Sequence, residues 1–224
     1  MTKRVLVLVE GQTEERFIKD VLAPPFLDRG LVLSPTILVT KRAKDGSTFK
    51  GGLSGFGKFR NDTRRLLGEA GGALVTTVLD YYRLPRDFPG MGDRPSGSPI
   101  ERVRHIERAI AQAFGGPRYF IPFLALHEYE AWLFSSTDEL PRVLTQHERQ
   151  PEFARIRGEF SGPEDINERP DHSPSKRIIR LFPTYRKTVH GVAAAKRIGL
   201  DAIRRECPHF NEWILQLENF AEAI

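Results

Sequence analysis

The sequence predicts an α/β protein: an open, largely parallel sheet flanked by helices, followed by a helical C-terminal lobe. Three observations carry this. The run "VLVLV", Val5–Val9, is apolar without alternation, as in a strand buried on both faces. A similar run, "ALVTTVLD", recurs at Ala73–Asp80, and segments of helical period lie between and after the two. Beyond "HEYEAWLF" no convincing strand pattern appears, only short helical periods broken by prolines. The expected division is an α/β core over 1–135 and a helical lobe packed on it over 136–224.

Taken in order, Val5–Val9 is the first strand, and Gly11 permits a sharp turn after it. Thr13 is the expected N-cap of a helix with Glu14 and Glu15 in its first turn, running to about Leu22, where Pro24 and Pro25 stop it. Thr36–Lys41 is a second strand and Asp45–Gly57 a Gly/Ser/Lys-rich loop. Phe59–Ala70 reads as an amphipathic helix with a basic face, and Ala73–Asp80 as the third strand. Pro85–Pro99 is a long loop. Ile100, Val103, Ile106, Ile110 and Phe114 are spaced as one helix face. Tyr119–Leu126 is a fourth strand whose Pro122 argues for an edge or irregular position. Helices are expected at Thr137–Leu144, Ser173–Leu181, Val192–Ile198 and Phe210–Phe220. Trp132, Phe134 and Trp213 fall at helical spacings among apolar residues and read as core.

Hydrophobic residues make up 40% of the chain, enough for a substantial core. The net charge of +5 and pI of about 9.5 suit a polyanionic partner without demanding one. A lone cysteine, Cys207, leaves no internal disulfide, so a reducing cytoplasm is the expected compartment. No apolar run is long enough to span a membrane. "GGLSGFG" lacks the Lys-Ser/Thr ending of a phosphate-binding loop, and Cys207 has no CxxC partner, so neither ATP nor zinc binding is read here.

Acids recur at one structural position. Glu10 follows the first strand, Asp80 the third, and Glu128 and Glu130 the fourth. In open α/β sheets the carboxyl ends of strands face the ligand crevice. Carboxylates brought together there repel and need a cation, and all-oxygen ligation suits Mg²⁺ or Mn²⁺ acting on phosphoryl groups. Each acid alone has a structural alternative: Glu14 and Glu15 complement a helix dipole, Asp80 caps a turn, and Glu128 is a solvated turn residue. The coincidence of strand ends is the signal. "SPSKRIIRLFPTYRKTVHG" adds Lys176, Arg177, Arg180, Arg186 and Lys187, with Lys176 and Arg180 one helical turn apart. Lys176 is the expected lysine beside the carboxylates, and the others are a phosphate-gripping surface or a solvated face. Arg60, Arg64 and Arg65, with Lys41, Arg42 and Lys44, extend a nucleic-acid track.

These residues resemble a Toprim domain, in which a strand ends in glutamate followed by glycine ("VLVEGQTE") and a later strand ends in Asp-x-Asp. Here "VLDYY" supplies Asp80 but has Tyr82 at the second position. Nearly the whole chain resembles a bacterial Toprim-like family of unknown function (domain of unknown function 4276), through "VEGQTEE", "LDYYRLP", "DFPG", "HEYEAWLF", "SPSKRI", "LFPTYRKTVHG" and "CPHFNEWI". "YEAWLF" is also similar to a signature of OLD-type and RloB-like nucleases, which matches their third acid to Glu130. The resemblance implies a Toprim/Rossmann-like core of about four parallel strands, a divalent metal and phosphodiester hydrolysis. Carried over, Glu10 is a metal ligand or general acid/base, Glu14 a second glutamate of nuclease members, Asp80 the main metal ligand and Glu130 the third acid. Tyr82 puts a two-metal site in doubt unless Glu128 substitutes. The resemblance also implies phage defence and a partner ATPase.

The leading expectation is therefore a metal-dependent nuclease, DNA ahead of RNA as substrate, with a homodimer compatible. The competing one is a degenerate Toprim-like regulatory subunit of an ATPase complex, which Tyr82 favours. Nucleotidyl transfer is a third class, with no residue specific to it.

Overall fold

The computed structural model describes residues 2–42, 48–50, 53–82, 84–116, 118–166 and 172–223. β1 (Lys3–Val9) runs into a continuous helical stretch made of α1 (Gln12–Phe17), a π-helical turn at Ile18–Leu22 and α2 (Ala23–Leu27). β2 (Leu31–Ile37) follows, then a separate antiparallel hairpin of β3 (Val39–Arg42) and β4 (Thr48–Lys50). Next come α3 (Phe56–Glu69), β5 (Leu74–Asp80), α4 (Pro99–Ala113), β6 (Phe120–Ile121) and β7 (Leu124–Ala125). The main sheet is parallel throughout, in the order β2-β1-β5-β6, with β7 also paired to β5.

Residues after β7 are helical: a 3₁₀ segment at Tyr129–Ser135, α5 (Glu139–Val143), α6 (Gln150–Gly158), α7 (Pro174–Leu181), a π turn at Lys187–Gly191, α8 (Val192–Ile198), α9 (Leu200–Glu206) and α10 (Pro208–Glu222). Among the described residues no helix is long and apolar enough to cross a membrane.

Strand alternation divides the core. Val5, Val7 and Val9 are fully buried on one face, in a cluster with Phe17, Trp132, Phe210 and Trp213. Leu8, Val75 and Leu79 point the other way, onto Phe59 of α3 and Val103, Ile106 and Ile110 of α4. Each such side chain contributes roughly 1.5–3 kcal/mol by leaving water. The first cluster joins the sheet to residues from 153 to 217, so the C-terminal helices cover one sheet face. Trp132, Phe134 and Trp213 are buried, as their spacing predicts, and the Trp213 indole N–H donates to Thr76 Oγ1 inside the core.

Several boundaries differ from the expectation, each for a physical reason. Pro24 and Pro25 do not stop the first helix. They occupy the first turn of α2, where an N–H needs no helical acceptor, after the π turn has ended the preceding ladder. Gly11, in an extended conformation, is the N-cap of α1, and Thr13 is buried inside the helix instead. The second strand is Leu31–Ile37, not Thr36–Lys41, and the residues after it belong to the β3–β4 hairpin. Pro35 is tolerated in β2 because this strand lies at the sheet edge. The expected loop at Asp45–Gly57 falls partly outside the described residues, and α3 begins earlier than expected, at Phe56. Pro122 splits the fourth strand into two-residue pieces at the opposite edge, as its missing N–H requires. α6 and α9 were not legible, being short and rich in charge.

Candidate functional site

The carboxyl ends of β1, β5 and β7 bring the sequence-predicted acids together. Glu10 follows β1, and its Oε2 lies 3.4 Å from the Asp80 backbone N–H that donates to it. Gly11 leaves room for the Glu14 carboxylate: a Cβ there would stand 3.3 Å from Glu14 Oε2. Glu14, in the first turn of α1, is buried. Asp80 ends β5, and its Oδ1 accepts the backbone N–H of Tyr129 at 3.0 Å, tying β5 to the 3₁₀ segment. Glu130, in that segment, has no exposed surface.

His127 sets the direction of this last segment. Its φ is +66°, and the Glu128 N–H donates back to the Leu126 carbonyl at 3.0 Å, which closes a strained γ-turn. The carbonyl of His127 accepts from the Tyr82 N–H at 2.9 Å, so the residue in the second Asp-x-Asp position braces the turn through its backbone. Burial, and then the Arg102 charge, hold the His127 imidazole at about 4.

The one cation set directly against these acids among the described residues is Lys187. Its ammonium lies 2.9 Å from Glu130 Oε2 and 3.7 Å from Asp80 Oδ2. The Glu130 contact is a close ion pair to a carboxylate with no exposed surface. Tyr185 Oη, 3.4 Å away, donates to Glu130 Oε1, while Tyr129 Oη donates to the Gly191 carbonyl. Gly191 must lack a side chain here, because a Cβ would fall 2.6 Å from Tyr185 Oη.

Electrostatically the cluster is deficient in positive charge. Burial raises Asp80 well above the ordinary carboxylate range against the pull of Lys187, and Glu14, Glu10 and Glu130 raise it further. Burial, then Glu14, raises Glu10. Burial pushes Glu130 up to about 7, with Lys187 opposing. Lys187 is itself held protonated: Asp80 and Glu130 outweigh its burial. Among the described residues Lys187 is thus the cation that offsets this group of carboxyls.

An all-carboxylate donor set is of the kind an oxygen-seeking divalent cation takes, but Glu130 Oε2 is already met by the Lys187 ammonium. The spacing is not preformed. Among the described residues no three His, Cys, Asp or Glu side chains converge closely enough to hold a metal ion.

Residues 9–218 match the profile of a family described as "Domain of unknown function (DUF4276)". The chain belongs to this family. No curated protein matches it. Among solved structures, the C-terminal region of the Xanthomonas campestris pv. campestris OLD protein is similar at 16% identity and a TM-score of 0.41, with 97% of each chain covered. The C-terminal region of the Burkholderia pseudomallei OLD protein is similar at 15% identity and a TM-score of 0.41, covering 96% of this chain and 100% of that one. Likeness at this level assigns no function.

In this DUF4276 member the remaining predicted residues are distributed as follows. Glu128 Oε2 accepts the Ser175 N–H at 2.9 Å, so it caps the N-terminus of α7. Lys176 is half-buried on α7, and the lysine that the structure sets against Asp80 and Glu130 is Lys187 instead. Arg177 is occupied locally, donating to the His172 carbonyl, pairing with Glu159 at 3.5 Å and lying over the Phe160 ring. Arg180 on α7 and Arg64 on α3 are exposed. Lys44 and the side chains of Lys41 and Arg42 lie outside the described residues. Sequence reasoning favoured Lys176 because helical spacing put it beside Arg180. Lys187 opens the short π turn that follows Pro183, where periodicity gives no signal.

Proposed function

We propose that this protein is a divalent-metal-dependent nuclease that hydrolyses phosphodiester bonds of nucleic acid, DNA ahead of RNA, in a setting such as phage defence. The carrying observation is that Glu10, Glu14, Asp80 and Glu130 act on one another electrostatically at the carboxyl edge of a parallel sheet, with Lys187 paired to Asp80 and Glu130. The Toprim-like pattern of "VLVEGQTE" and "VLDYY" supports the same reading.

In this scheme Glu10, Asp80 and Glu130 are the residues that would hold Mg²⁺ or Mn²⁺, which would supply Lewis-acid stabilisation of the phosphoryl oxygens. Glu10, raised by its surroundings, accepts the proton of the attacking water. Glu14 keeps Glu10 in a negatively charged setting that favours proton uptake. Lys187 faces a non-bridging phosphate oxygen and offsets charge developing there. Tyr185 and the Gly191 turn fix Glu130. Lys176, Arg64, Arg180 and the Lys41–Arg42 strand supply phosphate contacts that position the strand.

The experiment is cleavage of plasmid, single-stranded DNA and RNA by purified protein with Mg²⁺ or Mn²⁺. Wild type should cut at least one substrate, and Asp80→Ala should lose about 10³-fold or more, as expected for a lost charge-stabilising group. Equal behaviour of the two proteins on every substrate overturns the reading.

A second reading has its own observation: Tyr82 stands where a second metal-binding aspartate would, and Lys187 already neutralises part of the cluster. On that reading the chain is a regulatory subunit of a partner ATPase. It predicts no measurable Mn²⁺ binding and stable co-purification with the ATPase.

A further inference from the structure

A groove with no part in the acid cluster lies at the β6 edge of the sheet, between α4 and α10. Its volume is about 330 Å³, within the range of small-molecule sites. Arg104, Glu107, Arg108 and Ala111 recur at the spacing of one face of α4, and His209 and Glu212 line the groove from α10. Strand addition lacks donors here. Pro122 has no N–H, the Phe123 N–H donates to Thr77 Oγ1, and the Leu124 N–H donates to Glu107 Oε1. The groove therefore suits a compact ligand and not an extended peptide.

Its polar groups define that ligand. The Glu107 side chain is only 13% exposed, and its Oε1 already takes the Leu124 N–H at 2.8 Å and His209 Nε2 at 3.0 Å. Its Oε2 receives no hydrogen bond among the described residues, which leaves a carboxylate oxygen for an N–H or O–H donor. Arg104 and Glu212 pair with each other from α4 to α10. Arg108 lines the same groove, is exposed, and makes no ion pair or hydrogen bond among the described residues, so its guanidinium is left to meet an anion. Phe120, Ile121 and Pro122 supply apolar wall.

We propose that this groove is a mononucleotide site. The phosphate pairs with Arg108, an N–H of the base donates to Glu107 Oε2, and the rest of the ligand lies along the apolar wall. The site shares no residue with the acid cluster, so the proposal does not rest on the metal reading.

The test is calorimetric titration of the full chain, in EDTA, with the four ribonucleoside 5′-monophosphates. At least one should bind with a Kd of about 100 µM or tighter. The matching nucleoside, without phosphate, and ribose 5-phosphate, without a base, should each bind at least about tenfold more weakly. Arg108→Gln should weaken the nucleotide by about tenfold or more and leave the nucleoside unchanged. Ala111→Leu, which fills the groove with a good helix former, should abolish binding at an unchanged melting temperature. No binding by any of the four overturns the proposal. So does ribose 5-phosphate binding as tightly as the nucleotide, or an affinity that Arg108→Gln does not move. If Ala111→Leu lowers the melting temperature, Arg108→Gln decides alone, because its position is exposed. EDTA keeps divalent cations off the acid cluster, so a failure here leaves the metal reading standing.

Discussion

Glu130 is under strong electrostatic tension. It is completely buried, its carboxyl titrates at about 7 rather than near 4.5, and Lys187 offsets the burial only in part. With the folded-state value raised, the fold prefers the protonated form. The stability this contributes is fully present below about pH 4.5 and is lost as pH rises through about 7. Glu130→Gln keeps the shape and removes the titration. In EDTA, the change in unfolding free energy between pH 4.5 and 8 should therefore be more favourable to the variant by on the order of 3 kcal/mol. Urea unfolding of both proteins at the two pH values measures it. Identical pH dependence would show that Glu130 does not sit in the environment described. Gly191 is the other decisive residue. Gly191→Ala places a methyl 2.6 Å from Tyr185 Oη and should cost about 1–3 kcal/mol and loosen Glu130, read as a lower melting temperature with reduced cleavage.

At the level of elements, the site depends on how α7 and the 3₁₀ segment are joined. Glu128 accepts the Ser175 N–H at the start of α7, beside the acid that the same segment delivers to the site. Glu128→Ala should destabilise the protein by about 1–2 kcal/mol, the scale of a lost helix cap, while leaving Mn²⁺ affinity within a few-fold of wild type. A large loss of Mn²⁺ affinity would make Glu128 a ligand instead. What the sequence disclosed follows the same division. β1 and β5 were legible because central parallel strands are continuous apolar runs. β2 was misplaced because Ser34 and Pro35 interrupt the run, and only an edge position tolerates them. The acids were legible because each ends a recognisable strand. Lys187 was read as a phosphate-gripping residue and not as the lysine beside the carboxylates, because the π turn that delivers it has no period of its own. The γ-turn at His127, which aims Glu128 and Glu130, was equally hidden, since a positive φ at histidine leaves no compositional mark.

At the level of the whole molecule, the sheet and the 3₁₀ segment after it gather acids from residues 10, 80 and 130, while the C-terminal half supplies the lysine. Neither half of the chain makes the cluster alone. A cation that binds only the folded state should therefore stabilise the whole fold. At a hundredfold excess over its dissociation constant it adds about 2.7 kcal/mol, which for a chain of this size raises the melting temperature by roughly 5–10 °C. Thermal melts at pH 8 with and without Mn²⁺ should show this shift in wild type and not in Asp80→Asn. A shift of the same size in both places the ion elsewhere.

The central claim is that Glu10, Asp80 and Glu130 form one cation site. Its most direct test is an anomalous difference map from crystals soaked in Mn²⁺. The account predicts a peak within about 2.5 Å of Asp80 and of at least one of the two glutamates. A map with no peak among these carboxylates would contradict it.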